Sequence, residues 1–233
     1  EYLSNTFQSS IAYQTSIGNL FNFTANASHS QNTLTHIMTV TLPEMTLTMN
    51  RIYPFKNIGN PAKKRWYKDM YISYTANAKN YMSMADSLYF QPNWLDNLQN
   101  GIQHRVPISM PVKLFKYITW TTSVNLLDRM YFRYFEKEWV NDSTMPNGGY
   151  LKTDTINQFR NVFSFDVSSS LTTKLYGQVN FRKGPIRAIR HVFTPSIGIS
   201  YNPDFSKDFW NYYDTYYDAN GIEQLYSMFQ GNM

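Results

Sequence analysis

Ile118-Thr119-Trp120-Thr121-Thr122-Ser123-Val124-Asn125-Leu126 reads as a strand with two unlike sides. Ile118, Trp120, Val124 and Leu126 point one way, with Thr122 among them, and Thr119, Thr121, Ser123 and Asn125 point the other. Period two means an extended backbone, because successive side chains leave a strand on opposite faces. The polar side carries hydroxyls and amides, not Lys and Glu. That combination describes a wet, uncharged interior and an apolar exterior, the inverted arrangement of a transmembrane β-barrel.

The same alternation recurs outward from this stretch. Leu3 to Ile17 sets Leu3, Phe7, Ile11, Tyr13 and Ile17 against Ser4, Thr6, Gln8, Ser10, Gln14 and Ser16. Pro195, Ile197, Ile199 and Tyr201 oppose Ser196, Gly198 and Ser200, and Phe163, Phe165 and Val167 oppose Ser164, Asp166 and Ser168. The expected fold is all-β, a transmembrane antiparallel barrel. Thr119, Thr121, Ser123, Asn125, Ser164, Asp166 and Ser168 are expected to face the lumen. Ile118, Trp120, Val124, Leu126, Phe163, Phe165 and Val167 are expected to face lipid.

Strands are predicted near 3–17, 20–30, 34–53, 67–82, 99–112, 117–135, 158–181 and 187–203, eight in all and part of one barrel domain spanning 1–233. Gly18-Asn19 predicts a two-residue hairpin turn. In the third strand the apolar parity switches from Met38, Val40, Leu42 to Met45, Leu47, Met49. One inserted residue at Pro43 explains the switch, and a bulge also tolerates a residue that cannot donate to the ladder; a two-residue hairpin at Pro43 is the competing reading. Lys113 to Lys116 predicts a short turn. Phe159 to Phe181 keeps one parity and predicts a single long strand turned at Gly184-Pro185. The connections at Ser83–Leu98, at Glu136–Asn157 and after Asp204 read as long loops, whereas those on the opposite side are mostly short. Such asymmetry is usual between the outer and periplasmic ends of a barrel.

The chain has 233 residues, of which 17% are aromatic and 16% charged. The charged share lies below the roughly 25% usual in soluble domains, so the surface is not mainly charged. No apolar run approaches the ~18 residues of a spanning helix. A chain that starts at Glu1 inside a strand pattern and stops inside an aromatic stretch reads as an excerpt of a larger barrel. Without cysteine there is neither disulfide nor thiolate metal site. A net charge of +5 requires no nucleic-acid partner. Basic residues gather at Lys56, Lys63, Lys64 and Arg65, and at Arg182, Lys183, Arg187 and Arg190, where solvated turns account for them.

No nucleophile, base and orienting group are marked out, so no enzyme is expected and no cofactor or metal. His29, His36, His104 and His191 stand singly, which suits structural hydrogen bonding better than ligation. Asp214, Asp218, Asn220 and Glu223 miss the spacing of a calcium loop. Asn22, Asn26 and Asn141 begin glycosylation-type triplets that arise by chance in Asn-rich chains.

The segment Ile189-Arg190-His191-Val192-Phe193-Thr194-Pro195-Ser196-Ile197-Gly198-Ile199-Ser200-Tyr201-Asn202-Pro203-Asp204-Phe205 resembles the lipopolysaccharide assembly family LptD in its Bacteroidetes form. Arg190, His191, Pro195, Tyr201 and Pro203 carry the spacing. Arg51 to Lys56, Lys64 to Tyr67, Gln103 to Pro107 and Thr173 to Gly177 resemble the same branch in the same order. The resemblance implies an outer-membrane barrel that takes lipopolysaccharide from a periplasmic bridge protein and releases it into the outer leaflet, with outer-membrane lipids and a plug lipoprotein as further partners. Eight strands would form a middle portion of such a barrel, without its gate. The absence of Cys departs from the disulfide pattern of proteobacterial members. Another outer-membrane barrel, a porin or a nutrient-uptake protein, explains the alternation equally well. A soluble carbohydrate-binding β-sandwich is the third reading, and it requires one side of each strand to pack into a core.

Overall fold

Where one face of a strand differs chemically from the other, a slip of one residue reverses every side chain, so alternation this regular fixes the register of pairing. The computed structural model describes residues 5–60, 63, 65–115, 117–145 and 148–229. Among them the chain forms β1 (Thr6–Ile17), β2 (Phe21–Asn32), β3 (Ile37–Ile52), β4 (Tyr71–Ala85), β5 (Gln99–Leu114), β6 (Ile118–Tyr131), β7 (Tyr134–Asn141), β8 (Gly149–Ile156), β9 (Arg160–Thr173), β10 (Leu175–Asn180), β11 (Ala188–Phe193), β12 (Ser196–Tyr201), β13 (Tyr213–Tyr217) and β14 (Glu223–Ser227). Eight of them make one antiparallel sheet in the order β1-β2-β3-β4-β5-β6-β9-β12, and β7-β8, β10-β11 and β13-β14 are separate hairpins. The sheet does not close on itself among the described residues: β1 and β12 are its edges. Leu3, Ser4 and Lys64 lie outside the described residues.

The inserted residue is present in β3. Asn26 pairs with Glu44 and Ser28 with Thr41, so three steps along β3 match two along β2. The bulge at Leu42-Pro43 therefore keeps both halves of β3 facing the same way. A second shift lies between Met49 and Ile52. At Gly18 the ladder resumes at Phe21, so the turn has three residues and not two, with Gly18 at φ +60° where a side chain would be strained. β5 runs through Lys113 to Leu114, so the turn that follows starts later than the sequence suggests. Residues 67–70 are not strand: Trp66–Asp69 form one 3-10 turn before β4.

Phe159 to Phe181 is interrupted, yet it holds one register. Leu171 pairs with Ile197 in the large sheet and Leu175 with Phe193 in the β10-β11 hairpin, an unbroken count across the gap at Lys174. Thr173 donates its N–H to the Pro195 carbonyl at 3.2 Å, but Pro195 has no N–H to return. The missing donor accounts for the break.

Two of the expected loops are structured. β6 ends at Tyr131, and the chain then re-forms as the β7-β8 hairpin, with Tyr134 opposite Ile156. A side chain at Gly149 would collide with the Val140 carbonyl and the Trp139 indole, so this pairing requires glycine there. After Asp204 the chain makes β13-β14 and returns to β7, where Phe135 donates its N–H to the Met228 carbonyl at 2.8 Å. Tyr131, Tyr134, Val162, Tyr226, Met228 and Phe229 form the buried cluster, at the loop end of β6 and β9. Elsewhere no second layer packs on the sheet; only Tyr89, Phe90 and Trp94 overhang one part of its apolar face, and Phe205 and Trp210 pack on Phe165. The chain's accessible surface is 16835 Å², against about 10,900 Å² for a compact monomer of 27.4 kDa.

Candidate functional site

The pairing registers decide which side chains share a face. Following them from β1 to β12, Ile11 lies beside Ala27, Phe21 beside Met49, Leu47 beside Ala76, Ala78 beside Ile102, Val106 beside Leu126, Val124 beside Val167, and Leu171 beside Ile197. All these pairs lie on one side of the sheet. Ile118, Trp120, Val124, Leu126, Phe163, Phe165 and Val167 are therefore on one face, and Thr119, Thr121, Ser123, Asn125, Ser164, Asp166 and Ser168 are on the other. The apolar face is exposed on both edge strands, where Ile11 is 77% and Ile199 78% exposed.

The polar face is laced by side-chain hydrogen bonds that run from strand to strand. Ser16 donates to Asn22 at 2.9 Å and Asn22 to Asn50 at 3.3 Å. Asn77 donates to Thr46 at 2.9 Å, Ser123 to Ser109 at 3.0 Å, Asn125 to Asp166 at 2.8 Å and Arg129 to Gln103 at 3.3 Å. Glu44, Lys79, Arg105 and Arg160 also belong to this face, more charge than alternation alone suggested.

At two places polar groups on the apolar face satisfy each other. Trp120 donates its indole N–H to Ser169 at 2.7 Å, and the Tyr74 hydroxyl meets His104 Nδ1 at 2.7 Å with the rings stacked at 6.0 Å. His104 thus has the structural role expected of a lone strand histidine. Asp128, three residues from the loop end of β6, faces the same way.

Arg190 and His191 lie on β11, Pro195 between β11 and β12, Tyr201 at the end of β12 and Pro203 beyond it. The structure strings them along one edge and does not gather them into a site. The Arg190 guanidinium lies 5.0 Å from the Tyr176 ring centre, so it is already engaged. Basic and aromatic residues also meet around the connection from β3 to β4, with Arg51 4.7 Å from the Tyr71 ring centre and Lys56 5.9 Å from that of Tyr53. Asp218 caps the β13-β14 turn, accepting from the backbone N–H groups of Asn220 at 2.9 Å and Ile222 at 3.0 Å and from the Gln224 side chain at 3.0 Å. Among the described residues no three His, Asp or Glu side chains are grouped to hold a metal. Among the described residues no helix is long and apolar enough to cross a membrane.

What alternation did not announce is a groove on the apolar face, lined by Ile11, Ala27, His29, Met38, Val40 and Leu42 and overhung by Tyr89, Phe90 and Trp94. Its signal in the sequence is only Tyr89-Phe90 and Trp94, in a loop that also carries Leu88, Leu95 and Leu98.

An antiparallel sheet with one apolar and one hydrogen-bonded polar face, and no second layer packed on either, defines a wall-like all-β protein. The family model described as LptD protein matches residues 1–233, and the chain belongs to that family. Membership associates it in general terms with lipopolysaccharide transport and the outer membrane. No curated protein and no solved structure gives a significant match to the chain.

Proposed function

We propose that this chain is part of the wall of an outer-membrane β-barrel, with its apolar face in lipid and its polar face lining a water-filled lumen, and that the barrel inserts lipopolysaccharide into the outer leaflet. The observation that carries the reading is the continuity of one apolar face across all eight strands of a sheet over which no second layer packs. Strands β1 to β6 and β9 have 12 to 16 residues, enough for the ~9–11 that cross a bilayer at a tilt. A β-sandwich would need a second layer over one face, and the large exposed area speaks against that reading.

The role is one of conduction, without chemistry of its own. Hydroxyl and amide groups on the polar face exchange partners with water and sugar hydroxyls at about 1 kcal/mol each, which suits passage better than capture. Under this reading a periplasmic bridge protein delivers the lipid and a plug lipoprotein occupies part of the lumen. The experiment is depletion of the full-length protein in its host, followed by surface labelling of newly made lipopolysaccharide. Loss of surface lipid with accumulation inside is the expected result. Unchanged delivery would overturn the transport role and leave a barrel with a different cargo.

A further inference from the structure

We propose that the groove under Tyr89, Phe90 and Trp94 holds one fatty-acyl chain of a membrane lipid, as a defined binding site on the outer wall; this rests on the apolar face being lipid-facing. The groove encloses about 640 Å³, within the range of small-ligand pockets. Its floor is Ala27 on β2, and its walls are Ile11 on β1 and Leu42 with Val40 on β3. The bulge at Leu42-Pro43 sits opposite Ala27. Large side chains on both flanks of a small one leave a trough on β2 over Ala27 and towards Ala25, with His29 at its loop end and Phe23 beyond Ala25 on the same face.

The roof is built, not loose. The Tyr89 hydroxyl donates to the Met38 carbonyl at 2.9 Å. Asp86 donates its N–H to the His36 carbonyl at 2.8 Å, and its carboxylate accepts from Gln31 at 3.0 Å. Phe90 packs on Trp94 with ring centres 5.3 Å apart. Phe90 stands at φ +65° and remains 83% exposed. A bulky residue held in the left-handed region is a genuine outlier, and such outliers cluster at ligand clamps.

The width selects that occupant. Adjacent strands lie about 4.8 Å apart, so β1 and β3 flank β2 at roughly 10 Å between backbones. Ile11 and Leu42 narrow the gap further. A helix with its side chains needs about 10–12 Å and does not fit. A single hydrocarbon chain does. Tyr89 and Trp94 at the mouth suit the interfacial level at which aromatic rings collect, which puts the lipid head at the loop end and the chain along β2.

The test reconstitutes the full-length protein in vesicles containing phosphatidylethanolamine with a diazirine in one acyl chain, irradiates them and maps adducts by mass spectrometry. Adducts at Ile11, Ala27, Leu42 and Trp94 are expected at least severalfold above those at Val124 and Leu126, persisting after exchange into detergent. Ala27→Phe fills the floor and Phe90→Ser removes the roof; both should bring groove labelling down to the level at Val124, with folding checked by heat-modifiable gel mobility. Equal labelling along the whole face would overturn the groove and leave the wall reading intact. Labelling nowhere on the face would overturn the wall reading and the groove with it. A co-purifying polypeptide cross-linked at Ala27 would overturn the acyl-chain occupant in favour of a protein one.

Discussion

Val124 and Thr121 are three residues apart on β6 and lie on opposite faces of the sheet, so one substitution made at each separates the two environments. Val124→Arg should cost about 2–4 kcal/mol in a bilayer, because it places a guanidinium near the membrane midplane, while Thr121→Arg should cost little. Denaturant unfolding in vesicles measures both, and equal costs would sink the assignment of faces. Tyr74 and His104 make a second residue-scale test, since they satisfy each other on the apolar side. His104→Leu leaves the hydroxyl unpaired, at about 1–3 kcal/mol, and adding Tyr74→Phe should recover most of it. Strict additivity of the two changes would mean that the pair is not coupled. Outside the strands of the wall, the backbone N–H groups of Ile222 and Asn220 hold the Asp218 carboxyl below the usual carboxylate range. A depressed folded value means that the stabilisation is present above the unfolded pKa, ~3.9, and lost as the pH falls through the folded one. Hydrogen-exchange protection of β13-β14 should therefore hold from pH 7 to 5 and fall below about pH 4, and Asp218→Asn should flatten that response.

At the scale of elements, β3 shows how far sequence reaches. Its parity switch at Pro43 is visible without coordinates, because a bulge is a counting error in an otherwise regular pattern, and the pairing of Asn26 with Glu44 and Ser28 with Thr41 places it there. Deleting Pro43 restores even counting and turns Met38, Val40 and Leu42 toward the polar face. Loss of heat-modifiable mobility is expected for the deletion, whereas Pro43→Ser keeps the count and should fold. A deletion that folds normally would show that register is set elsewhere. β7-β8 and β13-β14 were not legible in the same way. Glu136, Lys137 and Glu138 present charge on both sides of β7, and β13 offers tyrosine on both, so neither shows alternation. Their position depends on distant partners, such as the Tyr226 hydroxyl that accepts the Lys137 N–H at 3.0 Å. The groove was hidden for a related reason: a loop forms its roof and strands from both sides of β2 form its walls.

Over the whole molecule, the assignment of faces followed from periodicity because every strand of the sheet was alternating, whereas closure depends on what lies beyond β1 and β12. An accessible surface of 16835 Å² that includes an unshielded apolar face predicts behaviour in bulk. The full-length protein should stay monodisperse in detergent and aggregate when detergent is removed, as light scattering would show; a chain that remained dispersed in plain buffer would contradict the wall. The bonds that cross the polar face, from Ser16 through Asn22 to Asn50 and from Asn125 to Asp166, run across the strand direction. In a closed barrel they would act as hoops. Circumferential stiffness would come mainly from the backbone ladders, which run the same way, and the side-chain bonds would add to it on the wet side, where water and sugars can replace them one at a time. Such a wall would hold its girth when the lumen fills, and only the side-chain share of its stiffness would fall as hydroxyl-bearing solute accumulates inside it.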